Sequence, residues 1–460
     1  MTLQDGLPNP QRLLAFATVA IVLFLAVLDE AVVNVALPLM AADLNAAPGD
    51  ALWIINAYRL AVVMVLLPVA ALGDSLGYRR VYLGGIALFT AASLICALAP
   101  SLEILVAARV LQGIGAAGIM GINIALVRFI FPQAMLGRAV GNVAVVVAVS
   151  SAAGPSLAGV ILSIAPWPAL FLVNLPIGVV AIIVGLKTLP VTQGSGRRID
   201  IRSALFAAAT FALLIIGVNT LADGGGLVWG LALIALAIAL GALFARSQLK
   251  LAVPMLPVDL LQKPVFALSA TTSMLAFAAY ALALASLPFY LHDVLSLSPA
   301  ETGLLMTPLP IATAIAATIS GRLADRLPPG KLAAVGLTIF ALGLALLAFL
   351  PVDATHPDII WRMALTGFGF GIFQAPNNKV MIGSAPRARS GGAGAIQSTA
   401  RLLGQSIGVA LLAIVLGTGI NGAFSIGLGI AAGLAVAGIL PSALRTFQPA
   451  ETPATPVSSD

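Results

Sequence analysis

Apolar runs of roughly 20 residues recur fourteen times along this chain, beginning near residues 13, 52, 81, 103, 138, 168, 203, 227, 266, 301, 332, 359, 395 and 421. At about 1.5 Å rise per residue, each is long enough to cross about 30 Å of hydrocarbon as a helix. The composition agrees: 60% of residues are hydrophobic and 9% charged, against about 25% charged in soluble domains. Strand alternation is absent, which excludes a membrane β-barrel. The sequence therefore predicts an all-α integral membrane protein with 14 transmembrane helices. The first run, Leu13 to Pro38, is too long for a signal-peptide core and lacks a small-residue cleavage site, so it counts as a span.

Lysine and arginine set the expected orientation. Arg79, Arg80, Arg138, Lys187, Arg197, Arg198, Arg246 and Lys250 fall in alternate connections, and Arg12 lies on the N-terminal tail. The intervening connections, such as AADLNAAPGD and ADGGG, have none. The positive-inside rule then places both termini in the cytoplasm, which needs an even number of spans. The net charge of +6 is this basic collar and points to no nucleic acid. Neither a GxxxxGK[ST] phosphate loop nor a large soluble segment is present, so an ATP-driven pump or enzyme within this chain is excluded. Cys96 is the single cysteine and cannot form an internal disulfide; it reads as inert packing. His292 and His356 are too far apart to suggest a metal site, so no metal or cofactor is expected.

An internal repeat organises the rest. LGDSLGYRR (72 to 80) recurs as LADRLPPGK (323 to 331), with Asp74 and Asp325 separated by 251 positions. LQGIGAAGIM recurs as LTGFGFGIFQ, with Gly113 and Gly367 separated by 254, and Gly154 and Gly404 are 250 apart. A near-constant offset implies two six-helix halves. Residues 1–190 form the first and 264–445 the second. Residues 191–263 contribute two linker helices with cytoplasmic loops, and the Pro, Thr and Ser-rich tail 446–460 is expected to be disordered. The plan is six plus two plus six.

With these motifs in order, the chain resembles the fourteen-span drug:proton antiporters of the major facilitator superfamily, the multidrug and quaternary ammonium efflux type, over about residues 10 to 445. LDEAVVNVALP resembles that family's first-span acidic motif. ALGDSLGYRR and GRLADRLPPGK are similar to its two loop motifs, ARVLQGIGAAG to its fourth-span arginine motif and GPSLAG to its fifth-span antiporter motif. WPALFLVNLPIG resembles its sixth-span signature, and APRARSGGAGAIQSTARLLGQSIG its loop into span thirteen. Ala70, Ser75 and Ala158 depart from the pattern without challenging the fold. Glu30 stands where a small or hydroxyl residue is usual, and Arg59 where an uncharged one is.

Those departures direct attention to the charges in the apolar runs. Asp29 lies nine residues from Pro38, on the order of 13 Å deep; Arg109 lies six from Glu103 and Arg59 six from Trp53, about 9 Å each. A buried unpaired charge costs at least roughly 3 kcal/mol, so pairing is expected. Asp29 and Glu30 are about 100° apart on a helix and cannot face one spot. The resemblance implies that Asp29 takes up and releases the proton, with Arg109 beside it; a static ion pair is the plainer reading. For Glu30 two readings stay open: a cavity acid for cationic drugs or a second proton, or a partner of Arg59. Asn34 and Gln112 are expected as polar cavity residues.

Near the predicted cytoplasmic face, Gly73, Asp74, Gly77, Arg79 and Arg80, with Gly321, Asp325 and Arg326 in the second half, form loop motifs able to latch adjacent helices in one state. Topogenic charge alone is the simpler account. Gly154, Pro155 and Gly159 would let helices approach and bend. Arg362 is expected to neutralise Asp358 at the rim, and Lys379 and Arg401 to snorkel to the interface. The resulting expectation is a monomeric inner-membrane exporter that exchanges protons for small amphipathic drugs or biocides, its other partner being the bilayer. Export of a metabolite such as an amino acid or siderophore is the alternative, and a non-transporting sensor a further one.

Overall fold

The computed structural model describes residues 6–445 apart from 133–134, 193, 195–200, 223–225, 250–257, 325, 352, 385–389, 419 and 421. Asp325, Arg197, Arg198, Lys250 and the tail therefore lie outside the described residues.

Among the described residues seventeen α-helices follow one another: α1 Gln11–Asp43, α2 Pro48–Ala51, α3 Trp53–Leu76, α4 Tyr78–Ala97, α5 Leu102–Ile130, α6 Leu136–Ile164, α7 Pro168–Leu172, α8 Asn174–Thr188 and α9 Ile201–Ala222. They continue as α10 Leu227–Leu249, α11 Pro264–Phe289, α12 Pro299–Met306, α13 Pro308–Leu323, α14 Pro329–Ala348, α15 His356–Gly383, α16 Ser390–Gly417 and α17 Ala423–Leu444. No strand occurs among the described residues. Helix starts follow the chain's own chemistry. Ser298 and Glu301 form a reciprocal capping box ahead of α12, and Pro264, Pro299, Pro308 and Pro329 open helices where a missing N–H costs nothing.

Twelve segments among the described residues are long and apolar enough to cross a membrane. The fourteen spans expected from the sequence are not reached among the described residues: α9 offers the shorter apolar run Leu205–Leu214 there, and α15 carries Asp358, Arg362 and Lys379 along its length.

α3, α4 and α5 pack together, while α1 lies against α5, α6 and α8. In the second group α15 lies against α13 and α14, and α11 against α16 and α17. α9 and α10 pair with each other, and α9 also reaches α3 and α16. The groups meet where α6 touches α12 and α13, where α3 touches α16, and where α1 touches α11. The repeat returns as equivalent close approaches. A Cβ on Gly113 would sit 2.4 Å from the Tyr58 carbonyl oxygen, and one on Gly367 2.0 Å from that of Leu309. Below, the basic end is the one holding Arg12 and Arg79, and the far end the one holding Asp43 and Trp53.

Candidate functional site

Asp29 occupies the middle of α1 and is 1% exposed; Arg109, on α5, is fully buried. Arg109 Nη1 donates to Asp29 Oδ2 at 2.5 Å and to Gln112 Oε1 at 2.6 Å, and its Nε donates to the Ile54 carbonyl at 3.0 Å. The other carboxylate oxygen, Asp29 Oδ1, accepts from Gln112 Nε2 and Asn174 Nδ2, both at 2.8 Å. Ser93 Oγ accepts from the same two amides at 2.9 and 3.2 Å. The guanidinium lies 4.2 Å over the Tyr58 ring. Five helices, α1, α3, α4, α5 and α8, thus converge on one carboxylate. Chemically the cluster is a buried carboxylate whose arginine partner also has neutral acceptors. If Asp29 takes a proton and loses its charge, Arg109 still has Gln112 Oε1 and the Ile54 carbonyl to hold it.

Glu30 points elsewhere, as helical phase requires. Its Oε1 accepts from Arg59 Nε at 2.7 Å, with side-chain exposures of 19% and 2%. Of the two readings of Glu30, the geometry therefore contains the pairing. Asp29–Arg109 and Glu30–Arg59 are thus two separate buried salt bridges that start from adjacent residues of α1. Replacing Glu30 or Arg59 singly by Gln leaves a buried charge unmatched, whereas removing both does not. A double-mutant cycle on thermal stability should therefore give a coupling of about 1–3 kcal/mol. Additive losses would reject the pair.

Asn34 donates to the Glu30 carbonyl at 2.7 Å, and its own Oδ1 is buried without a partner. Gln112, expected as a cavity residue, belongs instead to the Asp29 cluster. Arg401 departs further from expectation. It lies eleven residues into the 28-residue α16 and five beyond the start of the apolar span Ile396–Gly417, within electrostatic range of Glu30 and Arg59. The proposed rim pair also rearranges: Asp358 accepts from Thr355 and Trp361, while Arg362 donates to the Leu346 carbonyl at 2.7 Å. Lys379 Nζ donates to the Ala324 carbonyl at 2.9 Å.

At the basic end, Gly77 adopts φ 95°, ψ 133° between α3 and α4. A Cβ there would meet the Thr192 carbonyl oxygen at 2.3 Å, so both the turn and its packing require glycine. Asp74 accepts from the Tyr78 hydroxyl rather than from an arginine. Arg79 donates to the Leu186 carbonyl, and its backbone N–H donates to Thr192 Oγ1 at 3.3 Å. Gly73 packs on Tyr78, and Arg80 is exposed beside it. In the second copy, Gly321 has only Ala375 Cβ, at 4.0 Å, near a built Cβ, and Arg326 is exposed.

The GPSLAG segment sits where the two groups meet. Cβ atoms on Gly154 and Gly159 would lie 2.3 Å from Ala31 Cβ and 3.0 Å from the Ala300 carbonyl oxygen. Facing them, a Cβ on Gly303 would lie 2.3 Å from the Pro155 carbonyl oxygen. Ser156 and Thr307 hydroxyls bridge the same seam at 2.6 Å.

A helical assembly of two repeated groups, with charge pairs buried inside the first, has known counterparts, and the sequence profile of the Major Facilitator Superfamily matches residues 19–409 and 267–458. The chain belongs to the Major Facilitator Superfamily. It is a multi-pass membrane transporter and not an enzyme. This facilitator is 48% identical over 447 residues to the uncharacterized transporter YebQ of Escherichia coli, covering 97% of this chain and 98% of YebQ. It is 32% identical to the multidrug efflux pump LfrA of Mycolicibacterium smegmatis, over 89% of this chain and 83% of the pump. With the riboflavin transporter RibZ of Clostridioides difficile it shares 29% identity, over 87% of each chain.

Sequence reasoning about the facilitator missed Ser93, Asn174 and Tyr58. Each is a polar or amphipathic residue inside an apolar run, the same clue that exposed Asp29. Asn174 even lies within the quoted WPALFLVNLPIG. Short polar side chains are common enough in spans that only the three-dimensional convergence distinguishes these.

Proposed function

We propose that this facilitator is a proton-coupled antiporter that exports small amphipathic compounds, drugs and biocides among them, by alternating access. The observation that carries the reading is the buried Asp29 and Arg109 pair, backed by neutral acceptors that hold the arginine when the carboxylate is protonated. Burial favours a neutral carboxyl and a neighbouring cation an ionised one, so a small change in their separation is enough to load or release a proton. Outside protons would load Asp29, substrate would leave outward, and deprotonation on the inside would reset the cycle. The loop motifs at the basic end and the glycine seam would mark the two ends that open alternately.

Fourteen crossings in a six plus two plus six plan complete the reading, with residues 1–190 and 264–445 as the halves. α9, 22 residues long, is paired along α10, and the 28-residue α15 is packed between α13 and α14. Both are long enough to traverse hydrocarbon once their polar groups are sheltered by neighbours. The basic collar supports cytoplasmic termini in the inner membrane, with a single chain as the working unit. The multidrug pump among the relatives supports amphipathic cargo.

Export of a metabolite is a second reading, favoured by one observation. Arg59 already occupies Glu30, so no lone acid awaits a lipophilic cation. In proteoliposomes with an internal pH dye and a pH gradient, adding a panel of biocides, dyes and metabolites should produce proton movement with at least one compound. Binding without proton movement across the whole panel would reject the antiporter and leave a sensor.

A further inference from the structure

Charge is unevenly distributed where the two groups meet. Asp29 and Arg109 cancel within their own cluster. Where α3 packs on α16, Arg401 on α16 lies within electrostatic range of the Glu30–Arg59 pair: one carboxylate against two guanidiniums, among the described residues. Arg401 Nε has no acceptor, and neither has Arg59 Nη1, although Arg59 is 1% exposed. Glu30 engages only the Nε edge of Arg59, which leaves the rest of that guanidinium directed away from the pair. Buried guanidinium N–H groups without acceptors are strongly unfavourable, so the arrangement suits a ligand that brings acceptor oxygens.

One helical turn nearer the far end, the same three helices repeat the pattern with neutral groups. Asn34 Oδ1, both side-chain atoms of Asn56 and Gln405 Oε1 are buried and unpartnered. They stand four residues from Glu30, three from Arg59 and four from Arg401, and such spacings share a helix face. Beside this polar wall the second group presents aromatic rings. Tyr280 on α11 lies within electrostatic range of Glu30 and Arg59. It stacks on Phe370 at 4.3 Å, and Phe277 meets Phe370 edge-on at 5.2 Å.

We propose that the substrate is an amphipathic organic monoanion. An aromatic body lies against Tyr280, which Phe370 backs, and its single carboxylate is held jointly by Arg59 and Arg401. Glu30 fixes the approach of Arg59, and Arg401 supplies the charge that selects an anion over a cation. The proposal rests on reading the chain as an exporter, but it concerns the charge of the cargo and not its coupling to protons.

Three probes that share one ring system test it on the purified full chain: naphthoate, its neutral amide naphthamide, and naphthyltrimethylammonium. Affinity and ligand-induced thermal shift are measured for each. Naphthoate should bind at least ~10-fold more tightly than either companion, the scale of one charge-assisted hydrogen bond. Arg401→Gln should lose about 10-fold of the naphthoate affinity and leave naphthamide unchanged, while Arg401→Lys keeps part of the gain. Equal binding of acid and amide, preference for the ammonium probe, or no binding of any probe overturns the proposal. Proton-coupled export of the ammonium probe without naphthoate binding would reject the anion and retain the antiporter. Naphthoate binding without proton movement would do the reverse.

Discussion

If the chain exchanges protons for cargo as proposed, Asp29→Asn should sharply reduce gradient-driven export while the protein still inserts and folds. The substitution keeps the shape of the side chain and an acceptor for Gln112 and Asn174, both at 2.8 Å from Oδ1. What it removes is the ability to change charge. Breaking a buried ion pair from one side costs about 3–5 kcal/mol when the remaining charge is stranded. Here the cost should fall below that range, because Arg109 retains the Ile54 carbonyl at 3.0 Å, Gln112 Oε1 at 2.6 Å and the face of Tyr58. Export down a pH gradient in proteoliposomes should fall by on the order of 100-fold, equivalent to roughly 2.7 kcal/mol. Exchange of labelled for unlabelled substrate without a gradient should continue. Undiminished gradient-driven export by the variant would remove Asp29 from the coupling role.

The second large effect belongs to the seam between α6 and α12. Gly303→Leu places a side chain where a Cβ alone would already be 2.3 Å from the Pro155 carbonyl oxygen and 3.0 Å from Gly159 Cα. Two backbones at this separation have no flexible side chain to yield, so the groups must part at this end. Overpacking of this kind costs about 1–3 kcal/mol, which shifts the balance between open and closed forms by roughly 5- to 150-fold. Cysteines introduced at Ser156 and Thr307, whose hydroxyls are 2.6 Å apart, report the distance directly. In a Cys96→Ser background they should crosslink readily with Gly303 intact and poorly with Gly303→Leu. Equal crosslinking would show that the seam has no part in opening.

How much of this was legible in the sequence depended on whether a residue had a cost that sequence can register. Charges in hydrocarbon are costly wherever they stand, so Asp29, Glu30, Arg59 and Arg109 were conspicuous. Depth along their helices was enough to suggest partners, and helical phase enough to separate Asp29 from Glu30. Arg401 was equally conspicuous, but its nearness to Glu30 and Arg59 was not legible, because spacing within α16 does not say which helices its face meets. Gln112 was assigned to the wrong neighbourhood because spacing alone does not say which of two clusters a helix face meets. The count of spans was less legible at α15: its apolar run from about residue 359 reads as a span in the sequence, whereas the whole helix carries Asp358, Arg362 and Lys379 and is not among the twelve apolar spans of the described residues. The glycine seam could be guessed from GPSLAG, but its partner Gly303 carries no motif and is recognised only by what it touches.

The division of labour proposed for Asp29 and Glu30 would have a kinetic consequence. A transporter in which proton and cargo share one carboxylate shows direct competition between them, so that raising either ligand simply increases the apparent dissociation constant of the other. Here Asp29 is enclosed by Arg109, Gln112 and Asn174, while the unpartnered arginine and amide atoms lie around Glu30. A carrier wired in this way can hold both at once, and pH then alters its maximal rate more than its apparent affinity.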